Sequence, residues 1–266
     1  MPVQEESMII DRIPLGIICA MPEELAALLG DMSDVKRREL AGREVLEGRL
    51  YGRSVAVVES GIGKVASAMV ATLLLDALRC RALLFSGVAG GIDPALNIGD
   101  LVVARRLIQH DYGRLQAEGL TPFRPGVPPF GPGRQDYAFD LPSDLAVRIE
   151  TAMKDIRLPP LPAELVGAEQ GARSPVLKLG TIVSGDQFIN DEAARQRLQA
   201  EFGAHAVEME GAAVAQVAEA FGVPVIVIRS LSDLAGAESH LDFDKFVAAV
   251  APTAARVMER LVPVLD

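Results

Sequence analysis

The chain has 266 residues, half of them hydrophobic, which suits one α/β domain or two small ones with a sizeable core. A formal net charge of −10, with no dense Lys/Arg cluster, argues against nucleic acid and anionic membrane as partners. The two cysteines, Cys19 and Cys80, sit in or beside apolar segments and read as buried free thiols. With an acidic N-terminus and an apolar stretch at 13–20 too short to span a bilayer, they lead to the expectation of a soluble cytoplasmic protein.

Strands and helices alternate along the chain. Residues 15–20 read as a buried strand, and 22–29 as a helix with a first-turn proline and leucines at helical spacing. Residues 43–50 and 54–59 form a predicted hairpin around Tyr51-Gly52-Arg53. A glycine-rich turn at 60–64 opens a long helix reaching about Leu78. The buried strand 82–86 ends in a second glycine-rich turn, Gly87 to Gly91, and 101–104 is another strand. The stretch 106–140 breaks the alternation, being rich in proline, glycine and spaced aromatics, and reads as an ordered lid or an interface segment. A helix at 144–156, a second irregular stretch to about Pro175, a strand at 177–183, helices at 191–201 and 212–221, a strand at 224–229 and a closing amphipathic helix at 243–261 complete the chain. The pattern predicts one domain, residues 1–266, with a mixed sheet between helices and an irregular insertion at 106–140.

Two acidic sites stand out. Glu210 opens an alanine- and valine-rich run, and Asp233 follows Val225-Ile226-Val227-Ile228 at the carboxyl end of a strand, where open α/β sheets bind small molecules. Paired carboxylates there suit acid–base chemistry on a polar small molecule. The glycine turns are weaker signals: Ser60–Lys64 lacks the full spacing of a dinucleotide fingerprint, and both turns have a purely structural reading. His110, His205 and His240 are too far apart for a metal pair, His110 reads as an exposed loop residue, and no metal or organic cofactor is indicated.

Seven segments in order carry a resemblance: Ala20-Met21-Pro22-Glu23-Glu24, Ser60 to Val65, Gly87 to Gly91, Val183 to Asn190, Val207-Glu208-Met209-Glu210, Arg229 to Asp233 and Ser239 to Phe243. Together they resemble the 5′-methylthioadenosine/S-adenosylhomocysteine nucleosidases of the purine nucleoside phosphorylase superfamily. The resemblance implies a three-layer α/β fold with a mixed central sheet flanked by helices, and hydrolysis of the N-glycosidic bond of an adenine nucleoside. It also implies a homodimer whose partner helps close the pocket, with no cofactor. It casts Glu24 as the base that activates water and Asp233 as the acid that protonates the leaving adenine. Glu210 would grip the ribose hydroxyls, with Met209 under the sugar. Phe188 would stack on the base, the Ile189 backbone would bond its edge, and Arg229 would lie near the water. Ile62 and Phe243 would wall the 5′ substituent, with Val88, Ala89, Gly90 and Ser232 completing the substrate site.

The chemistry agrees with those roles. Breaking the bond builds positive charge on the ribose and negative charge on the base, so a carboxylate near the sugar and a proton delivered to the purine both lower the barrier. Glu24 must be ionised and Asp233 protonated, opposite states within one site. The chain departs from the family pattern at Pro22, where an acid is usual, at Val88, where relatives often carry serine, and in the longer 106–140 stretch. Three alternatives stay open: a phosphorylase using Arg229 with Arg43, Arg105 or Arg106, a hydrolase of another nucleoside such as futalosine, and a nucleoside-binding protein without turnover.

Overall fold

In a computed structural model, residues 13–117, 119–127, 136–162, 173–235 and 243–266 are described. The first unit is β1 (Leu15–Cys19) followed by α1 (Pro22–Leu29). Next come β2 (Met32–Leu40), β3 (Arg43–Leu50) and β4 (Arg53–Glu59), joined by two-residue turns in which both residues have positive φ: Ala41-Gly42 (49° and 73°) and Tyr51-Gly52 (49° and 78°). Such turns match the twist of antiparallel strands, so the hairpin read from the sequence is present. Sequence patterning gives no element at β2, because β2 is an edge strand whose charged residues face water on both sides.

Helix α2 (Lys64–Thr72) runs on into a π turn (Leu73–Ala77) and leads to β5 (Leu83–Gly91). Gly87–Gly91, read from the sequence as a turn, is therefore strand: Arg229, Ser230, Leu231 and Asp233 lie in parallel register with Gly87, Val88, Ala89 and Gly90. The 106–140 stretch is also more regular than its composition suggests. β6 (Leu101–Gln109) extends through its start, a hairpin of β7 (Gly113–Gln116) and β8 (Gly119–Pro122) follows, and β9 (Ala138–Asp140) pairs back onto β6. Arg124 fastens this excursion by donating to the carbonyls of Asp136 and Ala138, pairing with Glu219 and lying over the Phe139 ring.

The remaining elements are α3 (Ser143–Met153), β10 (Leu177–Ser184), α4 (Glu192–Phe202), β11 (Ala206–Glu208), α5 (Gly211–Phe221), β12 (Val225–Asp233) and α6 (Phe243–Leu261). Left-handed glycines Gly203 and Gly222 end α4 and α5, and Asp191 caps α4 by accepting from Ala194 N–H at 2.7 Å. The sheet order is β11-β10-β6-β12-β5-β1-β4-β3-β2, and β11 also pairs antiparallel with β5. Strands β5, β12, β6, β10 and β11 thus close into a ring, with the open β1–β4 wing attached to β5. The mixed sheet predicted from the sequence is present, with α2 and α5 packed on one face and α1, α3 and α6 on the other.

The turn before β6 ties the ends of three strands together. Asp100 is fully buried, and its carboxylate accepts from Arg173 (2.7 Å), Val176 N–H (2.7 Å) and Asn97 N–H (2.8 Å). Its carbonyl accepts from Leu231 N–H at 2.8 Å, and Gly99 N–H donates to Leu231 O at 2.7 Å, which fixes β12 two residues before Asp233. Asp100→Ala leaves two backbone donors without an acceptor and Arg173 with only its bond to Ile98 O. It is expected to cost about 3–5 kcal/mol in urea denaturation, and a loss below about 1 kcal/mol would contradict this role for the turn.

Candidate active site

Residues in or just past β1, β4, β5, β10, β11 and β12, with Phe246 of α6, enclose a cavity of about 280 Å³. Of the residues singled out from the sequence, Ile62, Val88, Ala89, Gly90, Phe188, Met209, Glu210, Ser232 and Asp233 line it. Glu24 stands at its Val88 wall, in a smaller adjoining chamber that shares Val88. Arg229 lies beneath the cavity with no exposed surface, and Ile189 packs against the cluster formed by Ile92, Ile108 and Val207. Phe243 begins α6, but its side chain lies outside the described residues, as do Ser239 to Asp242. Sequence reasoning missed Ala20, Met21, Val207, Glu208 and Phe246 as lining residues. Phe246 follows Phe243 at helical i, i+3 spacing, a signal that was available.

Glu24 is placed by its own helix. As the third residue of α1 it reaches back to the exposed donors of the first turn, accepting from Ala20 N–H (2.8 Å) and Met21 N–H (3.2 Å) with one oxygen. Its other oxygen accepts from Val88 N–H at 3.1 Å, in the middle of β5's glycine run. Gly87 makes this possible: a Cβ there would stand 3.0 Å from Arg229 Nη1 and 3.2 Å from Glu24 Oε1. Burial raises the Glu24 pKa, while Arg229 and the three backbone donors hold it back.

Arg229 is the hub of the charges. Its Nε and Nη2 bond Glu208 Oε2 at 3.1 and 2.5 Å, Nη2 is 3.7 Å from Glu210 Oε2, and the guanidinium carbon lies 4.1 Å from the Phe85 ring centre. Glu208 also accepts from the N–H groups of Glu210 and Gly211 and from the Ser184 hydroxyl, anchoring the start of α5. Glu210 accepts from Gly63 N–H at 2.9 Å. Burial, then the Glu208 charge, push Glu210 up to about 7 against the pull of Arg229. Asp233 Oδ1 accepts from Ala235 N–H at 2.7 Å, and its Oδ2 is 2.9 Å from the Ser232 hydroxyl, which also lies 3.4 Å from Ala89 O.

That hydroxyl has one proton and two acceptors within reach. Ionised Asp233 accepts a hydrogen bond from the Ser232 hydroxyl; protonated Asp233 donates to Ser232 Oγ, whose own O–H turns to Ala89 O. The arrangement accommodates both states of Asp233. Burial, then the charge of Glu24, push the Cys19 thiol well up, against the thiolate form a nucleophile needs. His110, expected exposed, is buried at the end of β6, because that strand runs five residues beyond the predicted 101–104. Arg105 is paired with Glu150, and Arg106 with Asp136 and Asp140. Arg43 lies beside the Ser60–Gly61 turn, its Nη2 3.5 Å from where a Cβ at Gly61 would stand. Among the described residues no three His, Cys, Asp or Glu side chains converge as metal ligands, and no helix is long and apolar enough to cross a membrane.

A family model described as the phosphorylase superfamily matches residues 14–263. A curated 5′-methylthioadenosine/S-adenosylhomocysteine nucleosidase of Mycobacterium bovis is 44% identical over 253 residues, covering 95% of this chain and 98% of the relative. A crystal structure of such a nucleosidase from Colwellia psychrerythraea, in complex with adenine, is 32% identical at a TM-score of 0.76, covering 96% of each chain. The native futalosine hydrolase of Helicobacter pylori is 34% identical at a TM-score of 0.76, covering 95% of this chain and 98% of its own.

In the free protein, the side-chain carboxyl carbon of Glu210 is expected to titrate near 7 by carbon-13 NMR. A midpoint in the ordinary glutamate range, about 4.3, would contradict the burial and the charge crowding described above.

Proposed function

The chain belongs to the 5′-methylthioadenosine/S-adenosylhomocysteine nucleosidases of the phosphorylase superfamily, and on that premise we propose that it hydrolyses the N-glycosidic bond of these adenine nucleosides. The products are adenine and a 5′-substituted ribose. The observation that carries the reading is one cavity bounded by Glu210, Met209 and Asp233, with the Glu24 carboxylate held at its Val88 wall.

In this reading Glu24 takes a proton from the attacking water, and Glu210 accepts from the ribose hydroxyls while Met209 packs under the sugar. The carboxylates offset the positive charge that builds on the ribose as the bond to adenine lengthens. Asp233 gives its proton to the purine nitrogen that gains electron density, and Ser232 compensates by turning its hydroxyl back to Asp233. Phe188, Ile62 and Phe246 wall the base and the 5′ group. Ile189 is read as bonding the purine edge through its backbone, and Phe243 as a further 5′-side wall. Arg229 tunes the carboxylates from below; it is not free to bind a phosphate dianion, and Glu24 would repel one. Both points support water over phosphate as the nucleophile.

The active unit is read as a homodimer in a reducing compartment, built from residues 1–266 as one domain. Support comes from exposed Ile62 and Phe188 at the cavity, from Val65 and Met69 exposed on the adjoining helix α2, and from the two unbridged cysteines. Adenine release from 5′-methylthioadenosine is expected to proceed without phosphate, and Asp233→Asn is expected to lower kcat by about 10²-fold or more with little effect on folding. Dependence on phosphate, a preference for futalosine, or wild-type turnover in Asp233→Asn would each overturn the corresponding part of the reading.

A further inference from the structure

The turn after β4 and the loops after β6 and β10 meet around Lys64. Its Nζ lies 2.5 Å from Asp111 Oδ1, just past the end of β6, and 4.0 Å from Asp186 Oδ2, just past the end of β10. Its backbone N–H donates to Asp186 Oδ1 at 2.8 Å, and Asp186 N–H donates to Asp111 Oδ2 at 2.8 Å. These bonds form a closed ring that joins the turn after β4 to the loops after β6 and β10. Burial alone would raise the Asp111 pKa, but the bonds from Lys64 and Asp186 N–H outweigh it and hold the carboxyl below its usual range. Lys64 keeps 14% of its side-chain exposure and Asp111 22%, so the pair is screened less than a surface ion pair.

One residue before Lys64, Gly63 N–H donates to Glu210 Oε1. Gly63 does so from φ 100°, a conformation that side chains disfavour, and a Cβ there would lie 3.3 Å from Asp186 Oδ1. Beneath the Asp186 loop, the buried His110 ring fills the space that a side chain at Gly185 would need. The turn that holds Glu210 is therefore fixed from outside the cavity, by side chains that do not line it.

We propose that Lys64 is a positioning residue for Glu210: through Asp111 and Asp186 it sets the Ser60–Lys64 turn, so that Gly63 N–H occupies one carboxylate oxygen and orients the other for the sugar. The inference rests on the reading of Glu210 as the acceptor of the ribose hydroxyls. Lys64→Met keeps the aliphatic stem and the backbone bond to Asp186 but loses the tie to Asp111.

The test measures kcat and KM for 5′-methylthioadenosine and its 2′-deoxy counterpart. The proteins are wild type, Lys64→Met, Lys64→Arg, Asp111→Asn, Glu210→Gln and the double variant Lys64→Met/Glu210→Gln. Lys64→Met and Asp111→Asn are expected to lower kcat/KM for the ribonucleoside by about tenfold or more and for the deoxynucleoside much less. Lys64→Arg is expected to recover much of the loss, and Lys64→Met to add less than about threefold in the Glu210→Gln background. Asp111→Asn, nearly isosteric, carries the test should Lys64→Met fold poorly. Equal losses on both nucleosides, or fully multiplicative losses in the double variant, would overturn the link between Lys64 and Glu210. A wild-type Glu210→Gln would overturn the reading of Glu210 itself, and this inference with it.

Discussion

A fully buried guanidinium, Arg229, sits under three carboxylates, and the architecture of the site follows from that one placement. Burying an isolated cation in an apolar sheet costs several kcal/mol, and the fork of Arg229 recovers it only through well-placed acceptors. Glu208 supplies the direct contacts, Glu210 adds its charge at 3.7 Å, and Glu24 lies close enough to meet the same absent Cβ of Gly87. The converse holds for the acids. Glu24 and Glu210 are both pushed toward their neutral forms by burial, and Arg229 is the cation that opposes this for both. Without it, Glu24, in its proposed role of base, would be protonated over a wider pH range.

Glycine lets the charges approach. In most strands a run such as Gly87 to Gly91 would be a weakness. Here β5 lies between β1 and β12 and also pairs with β11, and its glycines leave room for side chains from those neighbours. A Cβ at Gly87 would crowd Glu24 and Arg229, and one at Gly90 would stand 3.0 Å from Ala235 Cβ and 3.1 Å from Asp233 Oδ1. The same strand thus gives an N–H to Glu24, space to Asp233 and a carbonyl to Ser232. The fixed backbone presents the donors and acceptors before any nucleoside arrives, which is the form of electrostatic preorganisation that bond cleavage exploits.

Much of this was legible in the chain. The alternating elements gave the mixed sheet, and the apolar run before Asp233 put that acid at a strand end. What stayed hidden depended on contacts between distant segments. Glu208 was visible only as part of Val207-Glu208-Met209-Glu210, although an arginine inside the run Val225 to Leu231 demands a buried acid somewhere, and that demand was the available clue. The glycines of β5 read as a turn because their strand character comes from neighbours on both sides. β2 showed no apolar alternation because both of its faces are wet. Composition pointed to an ordered lid or interface segment at 106–140 but hid its strands, the β7–β8 hairpin and the pairing of β9 with β6.

The proposed role of Glu24 as base requires Arg229 to keep it ionised. Comparing the pH dependence of kcat/KM for adenine release between the wild type and a folded Arg229→Met variant tests it most directly. In that role, activity depends on the ionised form of a glutamate whose pKa is raised, so it is lost as pH falls through that pKa. The wild-type acid limb is therefore predicted above the ordinary glutamate range, and in Arg229→Met it moves to higher pH still. An acid limb that stays in place when the guanidinium is removed would contradict the account.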